Sequence, residues 1–572
     1  MGAAGSFHSP GRDPVNQRAD AFPVPLPPLL MRWIDRALGL AFVCALATPG
    51  MLALHHGQKN AERTAEIIRR RPNTTPVAPV SLAALERFPN TFDPWFADAW
   101  GGRERALRAH ALASMELFGT SPAGFLFFGK ARWVFSSALR SMESFTGAAP
   151  LSEAELRSWQ RSLEDRRRWL QARGIDHIVV LVPHKSSIYP ELLPNGLQRA
   201  RGVSRREQLH VWMAEQSDVV MLDVAPALLA AKPSPGVLEG ADTTLSNIYS
   251  PHGVHWSAVG AHAGYVAIAE YLHQHHRGPP PRPLDAFNVI KLPNSGDSWA
   301  SRMLLDGVIH MSDLELRLKT PTLVTHRRAP DSTRKDVLSE HPNKSLPRVL
   351  LVHDSFGTDL RPLLELDASA MESRWRGWVE IDAVERLQPD IVIELYSEIV
   401  LETRRPYRRT EYLGEDDLRR FKNARVVHEV DLLKPLTFDS KPTQQTATIE
   451  DGAAHIVLLH GTSRLQIKPP PGGLPVDLPD GVELLLALDI TAQAAGTIGV
   501  YPAISLAKMP SDGDIIPLEV GPDLGGPEGP MLIPLLPCPA ETSVWLLLPP
   551  SVKEVLIHSV EFRLSDGVPR PR

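Results

Sequence analysis

Cysteine is almost missing from this chain: Cys44 and Cys538 are the only two among 572 residues. Cys44 lies in an apolar run, which argues against pairing, so no disulfide framework and no redox compartment can be read. No charge of one sign dominates either. The net charge is -5, too mild to point the whole chain at nucleic acid. No Gly-rich phosphate loop and no dinucleotide fingerprint occur. His273, His275 and His276 cluster without a Cys or acid nearby, which describes a solvated helix end rather than a metal site. No metal and no cofactor is therefore expected.

What is present belongs to a globular protein: 43% hydrophobic and 22% charged residues, over a length suited to two or three domains. The 53 prolines gather at Pro23–Pro28, Pro279–Pro283, Pro469–Pro475 and Pro534–Pro550, as linkers and turns do. Residues 1–36 are a tail, its first 30 polar, rich in Gly and Pro, and without helical period. Residues 37–54 (ALGLAFVCALATPGMLAL) are uncharged and long enough to span a bilayer. Ala45-Leu46-Ala47 resembles a signal-peptidase site, but the preceding segment is too long for a signal peptide, so an uncleaved anchor is expected. The flanking charges, Arg32 and Arg36 before and Lys59, Arg63 and Arg69–Arg71 after, would by count keep the body in the cytoplasm.

From residue 80 to 430 helical stretches alternate with buried strands. Ser152 and Glu155 form a capping box ahead of an amphipathic helix that Gly174 ends. Apolar runs at 178–183, 219–224, 349–353 and 391–395 read as strands, and the short run 129–135 as another. This alternation predicts a mainly parallel sheet covered on both faces. Residues 440–572 change texture: short apolar strands separated by Pro, Gly and Asp turns, the pattern of a β-sandwich or jelly roll. Such a domain either binds carbohydrate or merely packs; Trp545 in VWLLLPP reads as core.

Two segments carry chemistry. In VLLVHDSFG a strand runs into His353, Asp354, Ser355 and Gly357. Such a strand-to-helix turn puts a hydroxyl at the mouth of an α/β sheet, or Asp354 and Ser355 simply cap the helix. In YSPHGVHWSAVG, Ser257 is a plausible N-cap, so His255 precedes the positive end of a helix, which favours a neutral general base. Ser355 with His255 is the start of a Ser–His arrangement. Backbone N–H groups after Ser355 are then candidates for oxyanion stabilisation. The run RRPYRR, from Arg404, is either a solvated loop or a patch for polyanionic glycan or lipid headgroups.

At these residues the sequence resembles the SGNH-hydrolase-like domain of the alginate O-acetylation proteins, the AlgJ/AlgX type. The matching blocks, in order, are DPWFADAWGGR, GKARWVF, VPHKSSIYPELLP, YSPHGVHWSAVG, SGDSWASRML, VLLVHDSFG and QPDIVIELYSE. The resemblance implies an SGNH-like fold with Ser355 as nucleophile and His255 as general base. Asp354, His353 and Asp297 are supporting candidates, although Asp297 also suits a helix N-cap. Lys185, Tyr189, Tyr249 and Trp256 are given substrate-binding roles. One departure matters. The family has Asp two residues before the His, where this chain has Gly253. The chain then recruits another acceptor such as Asp354 or Asp242, runs on a dyad, or is a weak relative. His353 also departs, since the family has Gly there.

The expected function is that of an O-acyltransferase, an acetyltransferase acting on an exported or cell-envelope polysaccharide through a Ser–His acyl-enzyme. The alternatives are an inactive glycan-binding or scaffold protein and a carbohydrate acetyl esterase. The implied partners are a polysaccharide, the membrane through one N-terminal helix, and a membrane-bound acyl-donor protein. The resemblance also implies an inner-membrane protein with a periplasmic body, against the charge count.

Overall fold

The computed structural model describes residues 28–566 except 68–72, 101, 234–246, 294–297, 310–311, 330–335, 404–411, 435, 440–443, 451, 471, 474–477, 480–481, 504–514, 523–529 and 536–542. Asp242, Asp297, the RRPYRR run and Cys538 lie outside the described residues. The chain forms two compact units, residues 1–112 and 113–572.

The first unit holds helices α1 (Pro28–Ile67) and α2 (Leu82–Ala99). Ser81 caps α2 by accepting from the N–H of Ala84 at 3.2 Å. Ala53 and Ala61 of α1 pack on Trp95 and Ala99 of α2. A Cβ at Gly57 would stand 2.8 Å from the Trp95 ring, so the contact needs glycine there. The run expected to span a membrane, residues 37–54, lies within α1. Among the described residues no helix is long and apolar enough to cross a membrane. The uncharged run is less than half of the 40-residue α1, which continues through His55, His56, Lys59, Glu62 and Arg63.

In the second unit a seven-stranded sheet carries the site. Its strands are β1 (Asp176–Val182), β2 (Val220–Asp223), β3 (Thr325–Arg328), β4 (Val337–Glu340), β5 (Arg348–His353), β6 (Ala370–Trp375) and β7 (Ile391–Ser397). They lie in the order β2-β1-β7-β5-β6-β4-β3. Strands β2 to β6 of that order are parallel, and β4 and β3 close one edge antiparallel. The sheet is mainly parallel because both faces are covered. Ile178, Val180, Leu351 and Ile393 face one core, while Val179 and Leu181 face Trp159 and Leu163 of helix α3 (Glu153–Gln171). Each such side chain contributes about 1.5–3 kcal/mol on burial. The Ser152–Glu155 capping box starts α3, and Gly174 follows it with φ 72°. The run read as one strand at 129–135 is instead a hairpin of Leu126–Phe128 and Val134–Ser136. Lys130–Arg132 breaks it, with Ala131 and Arg132 left-handed at φ 50° and 59°.

The C-terminal region is β-rich, built from two antiparallel sheets. Leu484, Leu486, Leu488 and Ile490 of one, and Val544, Leu546 and Leu548 of the other, alternate into a shared core. Strand Arg425–Glu429 pairs with Glu554–Leu564 and so joins this region. Trp545 is buried against Tyr501 and Ile515.

Candidate active site

Strand β5 is central and buried from Val349 to its end. It stops at His353, and helix α5 (Gly357–Leu364) follows within four residues. Asp354 makes the turn between them. Its Oδ1 accepts from the N–H of Phe356 at 3.0 Å. Its Oδ2 accepts from the N–H and Oγ–H of Ser397, at the end of neighbouring β7, at 2.9 and 2.5 Å. The carboxylate is thus committed to the turn and to β7. This corrects its candidacy as the acid behind the imidazole.

His353 folds underneath. Its Nδ1–H donates to the carbonyl of Asp354 at 2.6 Å, and its Nε2 accepts from Ser373 Oγ at 2.7 Å. Burial lowers its pKa, so the ring is neutral. A Cβ at Gly357 would fall 2.2 Å from that ring, so glycine is what admits the buried histidine. His353 therefore packs the turn and is not a second titrating group at the reacting centre.

Ser355 is left half-buried at the rim, and its Oγ lies 2.7 Å from Nε2 of His255, a hundred positions away. In the neutral tautomer that carries its proton on Nδ1, Nε2 accepts the hydroxyl hydrogen. Several contacts hold the histidine there. Tyr249 and Trp256 form an isolated bridge, and the N–H of Ser250 donates to the His255 carbonyl at 3.0 Å. Ser257 caps helix α4 (Ala258–Gln274) by accepting from Gly260 N–H at 3.2 Å. A Cβ on Gly260 would lie 2.0 Å from the Ile248 carbonyl, so the helix can approach the loop only with glycine there. Trp256 Nε1–H donates to the Phe356 carbonyl at 3.2 Å, linking the histidine loop to the serine turn. The Phe356 ring packs against both Trp256 and His255, with centroids 5.5 and 4.9 Å away.

The four residues expected to bind substrate hold the loop. Lys185 is buried and donates to the carbonyls of Ser250, Pro251 and Gly253 at 2.9, 3.1 and 2.7 Å. Tyr249 is fully buried and donates to the Pro183 carbonyl at 2.6 Å. Tyr189 is fully buried, accepts from Ile248 N–H at 3.2 Å and packs tilted against Trp133. Trp256 is buried as described. Lys185 also lines the cavity described below. The oxyanion expectation is corrected too. The N–H groups of Phe356 and Gly357 are bonded to Asp354, and that of Thr358 to the Ser355 carbonyl.

Sequence reading missed a second group of polar residues at the same rim. His184, just past β1, lies 2.8 Å through Nε2 from Glu402 Oε1, and its N–H donates to Glu398 Oε2 at 2.8 Å. Burial works against a charged His184, but Glu402 and Glu398 outweigh it and raise the pKa to about 9. Burial raises Glu402 as well, so the pair retains a proton through neutrality. For Glu398 burial is outweighed by His184 and Arg206, which lower it. The signal in sequence was slight: one polar pair, His184-Lys185, directly after a buried strand. His184 and Glu402 line a cavity of about 550 Å³ with Phe125, Leu139, Val254 and Trp299. Ser355 and His255 are not in its wall, but Val254 is the residue next to His255.

Residues 126–364 match the family described as SGNH hydrolase-like domain, acetyltransferase AlgX. No curated protein matches the chain. Among solved structures, the chain is similar to Bacillus cereus PatB1 at 14% identity and TM-score 0.36, covering 48% of this chain and 96% of that one. The O-acetyltransferase domain of Pseudomonas putida AlgJ is similar at 17% identity and TM-score 0.34, over 52% and 98%. Pseudomonas aeruginosa AlgX is similar at 13% identity and TM-score 0.36, over 77% and 95%.

Proposed function

We propose, given that residues 126–364 are an SGNH hydrolase-like domain of the AlgX acetyltransferase type, that this protein is an O-acyltransferase acting on a polysaccharide. The observation that carries the reading is the 2.7 Å contact between Ser355 Oγ and His255 Nε2 at the rim of a mainly parallel sheet. In the first step Ser355 Oγ attacks the carbonyl carbon of an acyl ester while His255 Nε2 takes the hydroxyl proton. The ester bond of the donor breaks, its alcohol leaves with the proton from His255, and an acyl-serine remains. In the second step a sugar hydroxyl attacks the acyl-serine, passing its proton to His255. The Ser355 bond breaks, and Oγ recovers the proton. The chemistry needs an acyl donor and no cofactor, and a membrane-bound protein is the donor this reading expects.

Gly253 in place of an acid supports a second reading, a weak or inactive relative that binds glycan or scaffolds an assembly. Loss of the acid of a serine triad costs about 10⁴-fold in the serine proteases. Hydrolysis of 4-nitrophenyl acetate by wild type, Ser355→Ala and His255→Ala separates the two. The transferase reading expects both variants to lose at least a hundredfold. Equal rates in all three leave the binding reading, and turnover with release to water alone, whatever sugar is added, leaves the esterase.

The same proposal places the body outside the cytoplasm, where exported polysaccharide is met, with residues 37–54 at the inner membrane. A reporter fused after Arg572 that is active only in the cytoplasm overturns that placement.

A further inference from the structure

The cavity beside the histidine loop has features that the acyl-transfer step does not use. It lies within the usual size of small-molecule sites, about 300–1,000 Å³, at about 550 Å³. Part of its wall is apolar and open to solvent: Phe125 is 38% and Leu139 45% exposed. Leu139 and Arg140 are both left-handed, at φ 57° and 64°, a conformation costly for such side chains. Trp299 stands on another side, and its N–H donates to the His252 carbonyl at 2.9 Å, which fastens this wall to the loop carrying His255.

A buried charged pair forms one polar part of the wall, which also holds Lys185 and Arg302. The side chains of His184 and Glu402 are 11% and 0% exposed. His184 engages Oε1 of Glu402, while Oε2 is buried without a hydrogen-bond partner among the described residues. A buried carboxylate oxygen left unsatisfied is expensive, and a donor from a ligand would relieve it.

These features select among ligands. An acyl chain would cover the apolar wall and leave the carboxylate oxygen without a donor. A phosphate or carboxylate would gain from Arg302 but set a second anion against the buried Glu402. A pyranose ring offers a C–H face to Phe125 and Trp299 and hydroxyl donors to Glu402.

We propose that this cavity is a sugar-ring subsite flanking Ser355, in which Glu402, oriented by His184, accepts a hydroxyl of the acceptor glycan and sets which glycan is acylated. The proposal rests on the transferase reading of Ser355. The sugar held here neighbours the one that reacts, because Val254 of the cavity wall directly precedes His255.

The test supplies 4-nitrophenyl acetate as donor and cellohexaose, chitohexaose, xylohexaose and an oligomannuronate as acceptors. Acylated sugar is counted by mass spectrometry against acetate released to water, so each variant is normalised to its own acyl-serine. Glu402→Gln and the surface variant Phe125→Ala are each expected to lower the transfer-to-hydrolysis ratio about tenfold or more, with a raised KM for the acceptor. Phe125→Ala removes only an exposed ring and keeps the test valid should Glu402→Gln fold poorly. An unchanged ratio in Phe125→Ala together with an unchanged ratio in folded Glu402→Gln overturns the subsite. So does the absence of both transfer and binding, by titration calorimetry with wild type, for all four sugars. Failure of the underlying reading looks different: Ser355→Ala would keep ester hydrolysis. In that case calorimetry alone decides, and loss of sugar binding in Phe125→Ala upholds the subsite.

Discussion

The ammonium of Lys185 donates to the carbonyl of Gly253 at 2.7 Å, two residues before His255. The same group holds Ser250 and Pro251, so one buried cation fixes the loop that presents the imidazole. Gly253 offers no side chain at this place, and its carbonyl oxygen is taken by the lysine.

Replacing Lys185 by Met should therefore reduce turnover rather than ester binding. Hydrogen bonds to a charged group contribute about 1.5–3 kcal/mol each, and three carbonyls lose their donor together. We expect a fall in kcat of at least tenfold with KM for 4-nitrophenyl acetate within about threefold. A variant with wild-type kcat would remove Lys185 from the positioning of His255.

Gly357→Ala should destabilise the nucleophile turn by about 1–3 kcal/mol, the usual cost of overpacking. The new methyl would meet the His353 ring at 2.2 Å. Removing that ring in Gly357→Ala/His353→Ala should make the pair less damaging than the sum of the single changes. Urea denaturation of the four proteins gives the coupling energy, and strict additivity would contradict the contact.

Beneath the sheet Glu394 accepts from His177 at 2.7 Å and from Tyr396 at 2.5 Å, and pairs with Arg166. Burial alone would raise its pKa, yet Arg166 and His177 hold it at about 2. Glu394→Ala should cost about 3–5 kcal/mol by leaving Arg166 buried and uncompensated. Because the folded pKa is depressed, the contribution is present above the unfolded value near 4.5 and is lost as pH falls toward 2. Thermal melts across pH 3 to 7 should show the wild type converging on the variant in acid.

His184 gives the opposite slope. Its folded pKa, about 9, stands above the ordinary 6.5. The stabilisation is complete below 6.5 and disappears as pH rises through about 9. Between those values wild type should lose about 1–3 kcal/mol relative to His184→Gln, a range lowered from the full shift because Glu402 shares the proton. Parallel melting curves for the two proteins over that window would refute the assignment.

The sheet was readable because its strands are unbroken apolar runs, such as Val349–Val352, that only a doubly covered parallel sheet can bury. Ser355 and His255 were readable because each follows a turn signal, at a strand end and before a helix cap. The polar side chains around them were not. Tyr189, Tyr249 and Trp256 have the atoms of ligand-binding residues, and only their burial shows those atoms spent on backbone partners. The His184–Glu402 pair joins positions 218 apart and follows no spacing rule. The uncharged run at 37–54 shows its own composition but not how much further its helix runs.

Ser397 grips Asp354, and the very next residue, Glu398, grips the backbone of His184. The nucleophile elbow and the flanking cavity are thus fastened to consecutive links of one strand end. Any change that displaced this strand end would misalign the attacking oxygen and the cavity together.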